Sequence, residues 1–132
     1  MRVNHRFLVL LQNSTELRPT VGFIGNIATV ETNGGTLTEY STADSYSIDS
    51  VNASSNADLF PLAPAAVKKY LGQNRLFFRD VNWFPDFRDT AALVRQLYPV
   101  ISEHERPFDA VIALNPSVVS EALGMIGPLT VE

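Results

Sequence analysis

Arg18 has the widest chemical reach of any residue near the start of this chain, because a guanidinium clamps phosphate or carboxylate through two parallel hydrogen bonds. It lies with Asn13, Ser14 and Glu16 in a polar stretch that closes on Pro19 and the glycines at 22 and 25. The same arginine can instead pair with Glu16 or another carboxylate and merely shape the loop, which is the commoner use of an Arg–carboxylate pair. A second polar cluster, Arg79, Asp80, Asn82 and Asp86, is interleaved with Trp83, Phe84 and Phe87. Carboxylates such as Asp80 and Asp86 could hold magnesium bridged to substrate phosphates, since that ion takes one or two carboxylates and keeps its waters. Asp86 also suits a helix cap, and the three aromatics suit a core better than a stacking platform. Asp44 and Asp49 follow a strand-like segment, where a turn role is the default.

Other chemistries have no foothold. The chain has no cysteine, so disulfides, thiolate metal sites and a Cys nucleophile are absent. His5 and His104 are too far apart in sequence to form a close-spaced metal pair. There is no phosphate loop with a Lys-Ser/Thr ending and no Gly-x-Ser-x-Gly elbow, and Ser117 and Ser120 have no sequence-visible base. A net charge of −4 with ten scattered Lys and Arg residues argues against a nucleic-acid partner. No apolar run approaches the ~20 residues that span a bilayer. The first residues lack the apolar region of a signal peptide, so export or anchoring would depend on segments outside this chain.

The elements that must hold these residues read as one domain over 1–132, with 45% apolar and 18% charged residues. Phe7 to Leu11 is apolar throughout, the pattern of a central strand buried on both faces. Val21 to Val30 predicts a second strand, and Asn33-Gly34-Gly35 a hairpin returning through an edge strand at Thr36 to Ser41. Asp49 to Ala63 reads as a long surface loop. A helix is expected from Pro64 to Leu71 with Val67, Tyr70 and Leu71 inward and Gly72 as C-cap, then a short strand at Leu76 to Phe78. The next helix, capped by Asp86, carries a stripe of Leu93, Leu97, Val100 and Ile101 and should kink or stop at Pro99. Phe108 to Leu114 suits a buried parallel strand. Asn115-Pro116 starts a helix whose inner face is Val118, Val119, Ala122, Leu123 and Ile126, and Gly127-Pro128 ends it. Leu129 to Val131 would begin a further strand. The pattern predicts an α/β fold, a mixed and mostly antiparallel central sheet flanked by helices.

Three ordered stretches resemble the hallmarks of a bacterial cell-envelope family, domain-of-unknown-function family 4012. They are Asn13 to Gly25, against Asn-x-x-Glu-Leu-Arg-Pro-Thr-Gly-Gly-Phe-Ile-Gly; Arg79 to Phe87, against Arg-Asp-Ala-Asn-Trp-Ser-Pro-Asp-Phe; and Phe108 to Pro116 with Gly127 to Val131. Val21 replaces a glycine, Phe84 a serine, and Arg88-Asp89 a Pro-Thr pair. The resemblance implies an extracytoplasmic location within a larger exported or membrane-anchored protein. A more distant likeness, in layout, is to the LytR–CpsA–Psr phosphotransferases, which attach polyprenyl-pyrophosphate-linked glycopolymers to peptidoglycan. It implies a LytR–CpsA–Psr-like fold and a pyrophosphate lipid or cell-wall glycopolymer as partner. Arg18 and Arg79 would bind the pyrophosphate, and Asp44, Asp80 or Asp86 would hold magnesium. Asn13 stands where those enzymes carry an acid, Ala43 where they carry an arginine, and their final Arg-rich segment has no counterpart. A non-catalytic envelope module that binds a glycopolymer, lipid head group or protein is the alternative, so the sequence leaves open whether this is an enzyme.

Overall fold

The computed structural model describes residues 3–55, 57–102 and 106–127. Its centre is β1 (Asn4–Asn13), flanked by β2 (Phe23–Asn33) and β4 (Ala110–Leu114), with β3 (Thr36–Asp44) outside β2. β1 and β3 run antiparallel to β2, and β4 runs parallel to β1. The expected mixed, mostly antiparallel α/β sheet is therefore what forms. The two-residue turn at Gly34 and Gly35 has φ of 59° and 84°, the backbone that tight hairpin loops demand and glycine supplies without strain.

One face of β1 carries the core. Arg6, Leu8, Leu10 and Gln12 are buried, while Phe7, Val9 and Leu11 on the other face are half-buried. The apolar run had suggested cover on both faces, and the second face is only partly covered. Leu8 and Leu10 meet Ile24 and Ile27 of β2 and the side chains of Phe60, Phe78, Val81, Val94, Leu97, Tyr98 and Phe108. Each such burial contributes about 1.5–3 kcal/mol before entropy is counted. Arg6 stays inside because Glu31 pairs with its Nε at 3.2 Å, Nη1 donates to the Arg106 carbonyl at 2.7 Å, and its guanidinium stacks on Phe108.

The region from Asp44 to Trp83 departs most from the sequence reading. In place of a loop from Asp49 stands α1 (Ser45–Ser55), then a 3-10 turn at Ala57–Leu59. The Ser-, Asn- and Ala-rich stretch has little helix periodicity, and Asp44 starts the helix by accepting from the Tyr46 and Ser47 N–H groups. α2 (Ala65–Leu71) follows Pro64 and ends on left-handed Gly72. Val67 alone of its expected stripe is buried, whereas Tyr70 and Leu71 are exposed. No strand forms over Leu76 to Phe78. A single antiparallel bridge joins Leu62 to Arg75, and Phe78–Trp83 coils into a 3-10 segment.

α3 (Phe87–Ser102) starts where Asp86 accepts from the Arg88 N–H at 2.8 Å, and it continues past Pro99 instead of stopping there. Leu97 of its stripe is buried and Leu93 half-buried, with Thr90, Val94 and Tyr98 also inward; the side chains of Val100 and Ile101 lie outside the described residues. β4 is an edge strand and half-exposed, where a buried strand was expected. α4 (Pro116–Ile126) begins on the Asn115 cap, whose side chain accepts from the Ser117 N–H at 3.0 Å. It buries none of its residues, so the expected inner face of Val118, Val119, Leu123 and Ile126 is open. The strand expected at Leu129 to Val131 lies outside the described residues, as does His104. Among the described residues no helix is long and apolar enough to cross a membrane.

Candidate functional site

The two polar stretches meet beside the carboxyl end of β1. The chain leaves β1 through an Asx turn in which Asn13 Oδ1 accepts from the Thr15 N–H and hydroxyl at 3.1 and 2.8 Å. It returns to β2 with the Phe23 N–H donating to the Glu16 carbonyl at 2.9 Å. The fold of the loop onto itself is tight at Gly22, where a Cβ would lie 2.3 Å from the Asn13 carbonyl oxygen. Gly22 is thus a glycine for lack of space, and Val21 beside it holds φ at 95°, a conformation that burdens a β-branched residue. A glycine at this position would carry that backbone without strain.

The 3-10 segment Phe78–Trp83 latches this loop in place. Arg18 reaches Asp80, with Nη2 and Nε at 3.3 and 3.4 Å from Oδ1, and it also stacks over Phe23. Of the two carboxylate choices, Glu16 or another, Arg18 takes another: its side chain points to Asp80, and among the described residues the exposed Glu16 carboxylate has no ion-pair partner. Asn82, fully buried, donates through Nδ2 to the Gly22 carbonyl at 2.7 Å. One acid and one amide, two residues apart, therefore hold an arginine and a glycine of the other stretch.

Arg79 completes the cluster. Its Nη1 lies 2.8 Å from Asp49 Oδ2, and its Nε lies 3.6 Å from Asp80 Oδ2. Its guanidinium sits between the Tyr46 and Phe77 rings, 5.1 and 4.9 Å from their centroids. Gln73, with its amide oriented to satisfy both neighbours, donates to Asp80 Oδ2 and accepts from Arg79 Nη2, each at 3.2 Å. Asp49 Oδ1 accepts from the Phe78 N–H at 2.8 Å. Burial raises its pKa above the ordinary 3.8, against the pull of the Phe78 N–H and Arg79. Sequence reading placed Asp49 in a turn and passed over Gln73; only the folding of α1 against the 3-10 segment brings them here.

This arrangement is closed chemically. Two guanidinium groups face two carboxylates, and Asp49 and Asp80 are both 2% exposed with their oxygens turned to nitrogen donors. Asp44 and Asp86 act as caps of α1 and α3. Among the described residues no group of three or more His, Asp or Glu side chains gathers as a metal site. An open depression of about 460 Å³ flanks Arg79, lined by Tyr46, Ser47, Asp49, Ser50 and Phe77.

A second hollow, of about 450 Å³, lies past the carboxyl ends of β1 and β4. Pro19, Thr20 and Val21 form one side, Pro85 and Phe87 another, and Gln12, Ala113 and Asn115 complete it. It is built from Gln12 and the stretches Asn13 to Gly25, Arg79 to Phe87 and Phe108 to Pro116, although of these lining residues only the Asn115 cap had a polar role foreseen from sequence.

A mixed α/β domain whose two arginine-bearing motifs are locked to buried aspartates is the class this fold and site define. The chain belongs to the family described as protein of unknown function (DUF4012), which it matches over residues 3–132. No curated protein and no solved structure matches the chain.

Proposed function

We propose that this chain is an extracytoplasmic module of the bacterial cell envelope that binds a cell-wall glycopolymer without transferring it. The observation that carries the reading is the pairing of Arg18 with Asp80 and of Arg79 with Asp49 and Asp80. A transfer site for pyrophosphate needs cations aimed at the charge that develops. Here both cations are already neutralised by carboxylates behind them, so the cluster acts as a latch for the loop. The envelope location is supported by the hallmark resemblance, and any membrane attachment would come from segments outside this chain.

The convergence of Arg18 and Arg79 on one aspartate favours a second reading, a phosphotransferase acting on a polyprenyl-pyrophosphate-linked glycopolymer, with magnesium recruited beside the substrate. Incubation of the full chain with such a substrate, magnesium and a peptidoglycan acceptor separates the two. The binding reading expects saturable glycan binding, an intact substrate and no released polyprenyl phosphate. Magnesium-dependent release that disappears in Arg79→Ala would overturn it in favour of transfer.

A further inference from the structure

The hollow beyond β1 and β4 has the size and lining of a ligand site and contains no charged side chain. Its volume of about 450 Å³ lies within the range of small-molecule pockets, roughly 300–1,000 Å³. Its position, outside the carboxyl ends of adjacent parallel strands, is where α/β sheets place ligands. Three features point to an occupant.

The first is a buried polar pair on its wall. Gln12 and Thr20 are 2% and 8% exposed, and Gln12 Nε2 donates to Thr20 Oγ1 at 3.2 Å. That bond uses one of the two amide N–H donors. Among the described residues no further bond takes up the Gln12 Oε1 or the Thr20 O–H, so the pair presents a donor and an acceptor together. A β-bulge between Leu11 and Gln12 marks where β1 breaks register beside this wall, a device often found where a strand re-aims a side chain at a site. The second feature is the flat apolar wall of Phe87, Pro19 and Pro85. The third is Val21, which lines the rim in its strained backbone and is more than half exposed.

We infer that this pocket holds the acetamido group and ring of an uncharged N-acetylated sugar. The secondary amide meets the Gln12 and Thr20 pair through one donor and one acceptor. The C–H face of the ring lies on Phe87 and the prolines. The absence of charge in the lining selects a neutral ligand, since a charged group would be desolvated without a partner. The inference rests on the glycopolymer-binding reading above and gives that reading its site.

The test is nuclear magnetic resonance titration of the full chain, labelled with nitrogen-15. The probes are the trisaccharide of N-acetylglucosamine, a glucose trisaccharide of the same length, and an N-acetylated tripeptide amide. The N-acetylated trisaccharide should shift the amides of Gln12, Thr20, Val21, Phe87 and Asn115, and bind about ten-fold more tightly than the glucose trisaccharide. Thr20→Val, which removes the hydroxyl at constant shape, should weaken it by about ten-fold. Phe87→Leu, which keeps an apolar side chain without the flat face, should weaken it several-fold. Shifts confined to Tyr46, Ser47 and Arg79 overturn this pocket and leave the glycopolymer reading standing. Preferential binding of the tripeptide here overturns the saccharide assignment. No shift with either trisaccharide overturns both the pocket and the glycopolymer reading.

Discussion

Asp49 shows how much of this site is decided by single side chains. Its carboxylate is buried, and the raised pKa means that desolvation outweighs what Phe78 N–H and Arg79 return. Asp49→Asn keeps an acceptor for the Phe78 N–H and leaves Arg79 with Asp80, so it should cost only about 1 kcal/mol. Asp49→Leu leaves that N–H unpaired in the interior and should cost about 3 kcal/mol; urea denaturation of the two variants measures the difference. The pH dependence has a definite sign. From 3.8 up to its raised folded value, Asp49 binds more proton in the folded chain than in the unfolded one. Its contribution to stability is therefore greatest below 3.8 and falls as pH rises through that window. Asp49→Asn should remove this component. Asp109 runs the opposite way: the Arg6 N–H holds its pKa below 3.8, so its stabilisation is present above that value and lost as pH falls through the depressed one. The types and spacing of Arg18, Arg79 and Asp80 made them visible in the sequence as chemistry-bearing residues. Which of them pair with which was not, because an ion pair 62 residues apart in the chain depends on where two loops meet.

At the scale of elements, the connection from β1 to β2 is the part under most constraint. Gly22→Ala would drive a Cβ into the Asn13 carbonyl, 2.3 Å away, and should cost about 3 kcal/mol or block folding. Val21→Gly should act in reverse. It releases the strain of φ 95° on a β-branched residue and should stabilise the chain by about 1 kcal/mol net of glycine's larger unfolded entropy. Thermal denaturation of both variants checks the pair, and a Val21→Gly variant that melts lower would contradict this account of the loop. α1 escaped the sequence reading for an identifiable reason. It lacks a periodic apolar stripe, and it is held instead by the Asp44 cap and by Asp49 against the 3-10 segment. The hairpin at Gly34 and Gly35 and the Asn115 cap of α4 were legible because their geometry is set by residues within a few positions.

Across the whole molecule, the core lies against one face of the sheet, and the apolar side chains of α4 stay outside it. Met125 is 87% exposed. If α4 contributes nothing to the core, Leu123→Lys and Met125→Lys should each change the unfolding free energy by no more than about 0.5 kcal/mol, the range of ordinary surface substitutions. A loss of about 2 kcal/mol or more would show that this helix is packed inside the protein. An apolar stripe in sequence is a statement about a helix, not about what stands opposite it, and the expected burial of Val118, Val119 and Leu123 failed on that distinction.

By itself the sequence determined the α/β class, the four strands of the sheet, the hairpin and most helix starts, because apolar periodicity, glycine turns and caps are local properties. The stretches Asn13 to Gly25, Arg79 to Phe87 and Phe108 to Pro116 were equally plain as strings of residues. Only the tertiary structure decided what those strings do: that Asp80 and Asn82 fasten Arg18 and Gly22, that Asp49 closes Arg79, and that Gln12 and Thr20 stand inside a hollow between all three stretches. These are long-range juxtapositions, settled by the parallel pairing of β4 with β1 and the docking of the 3-10 segment, and no local pattern encodes a partner so distant along the chain.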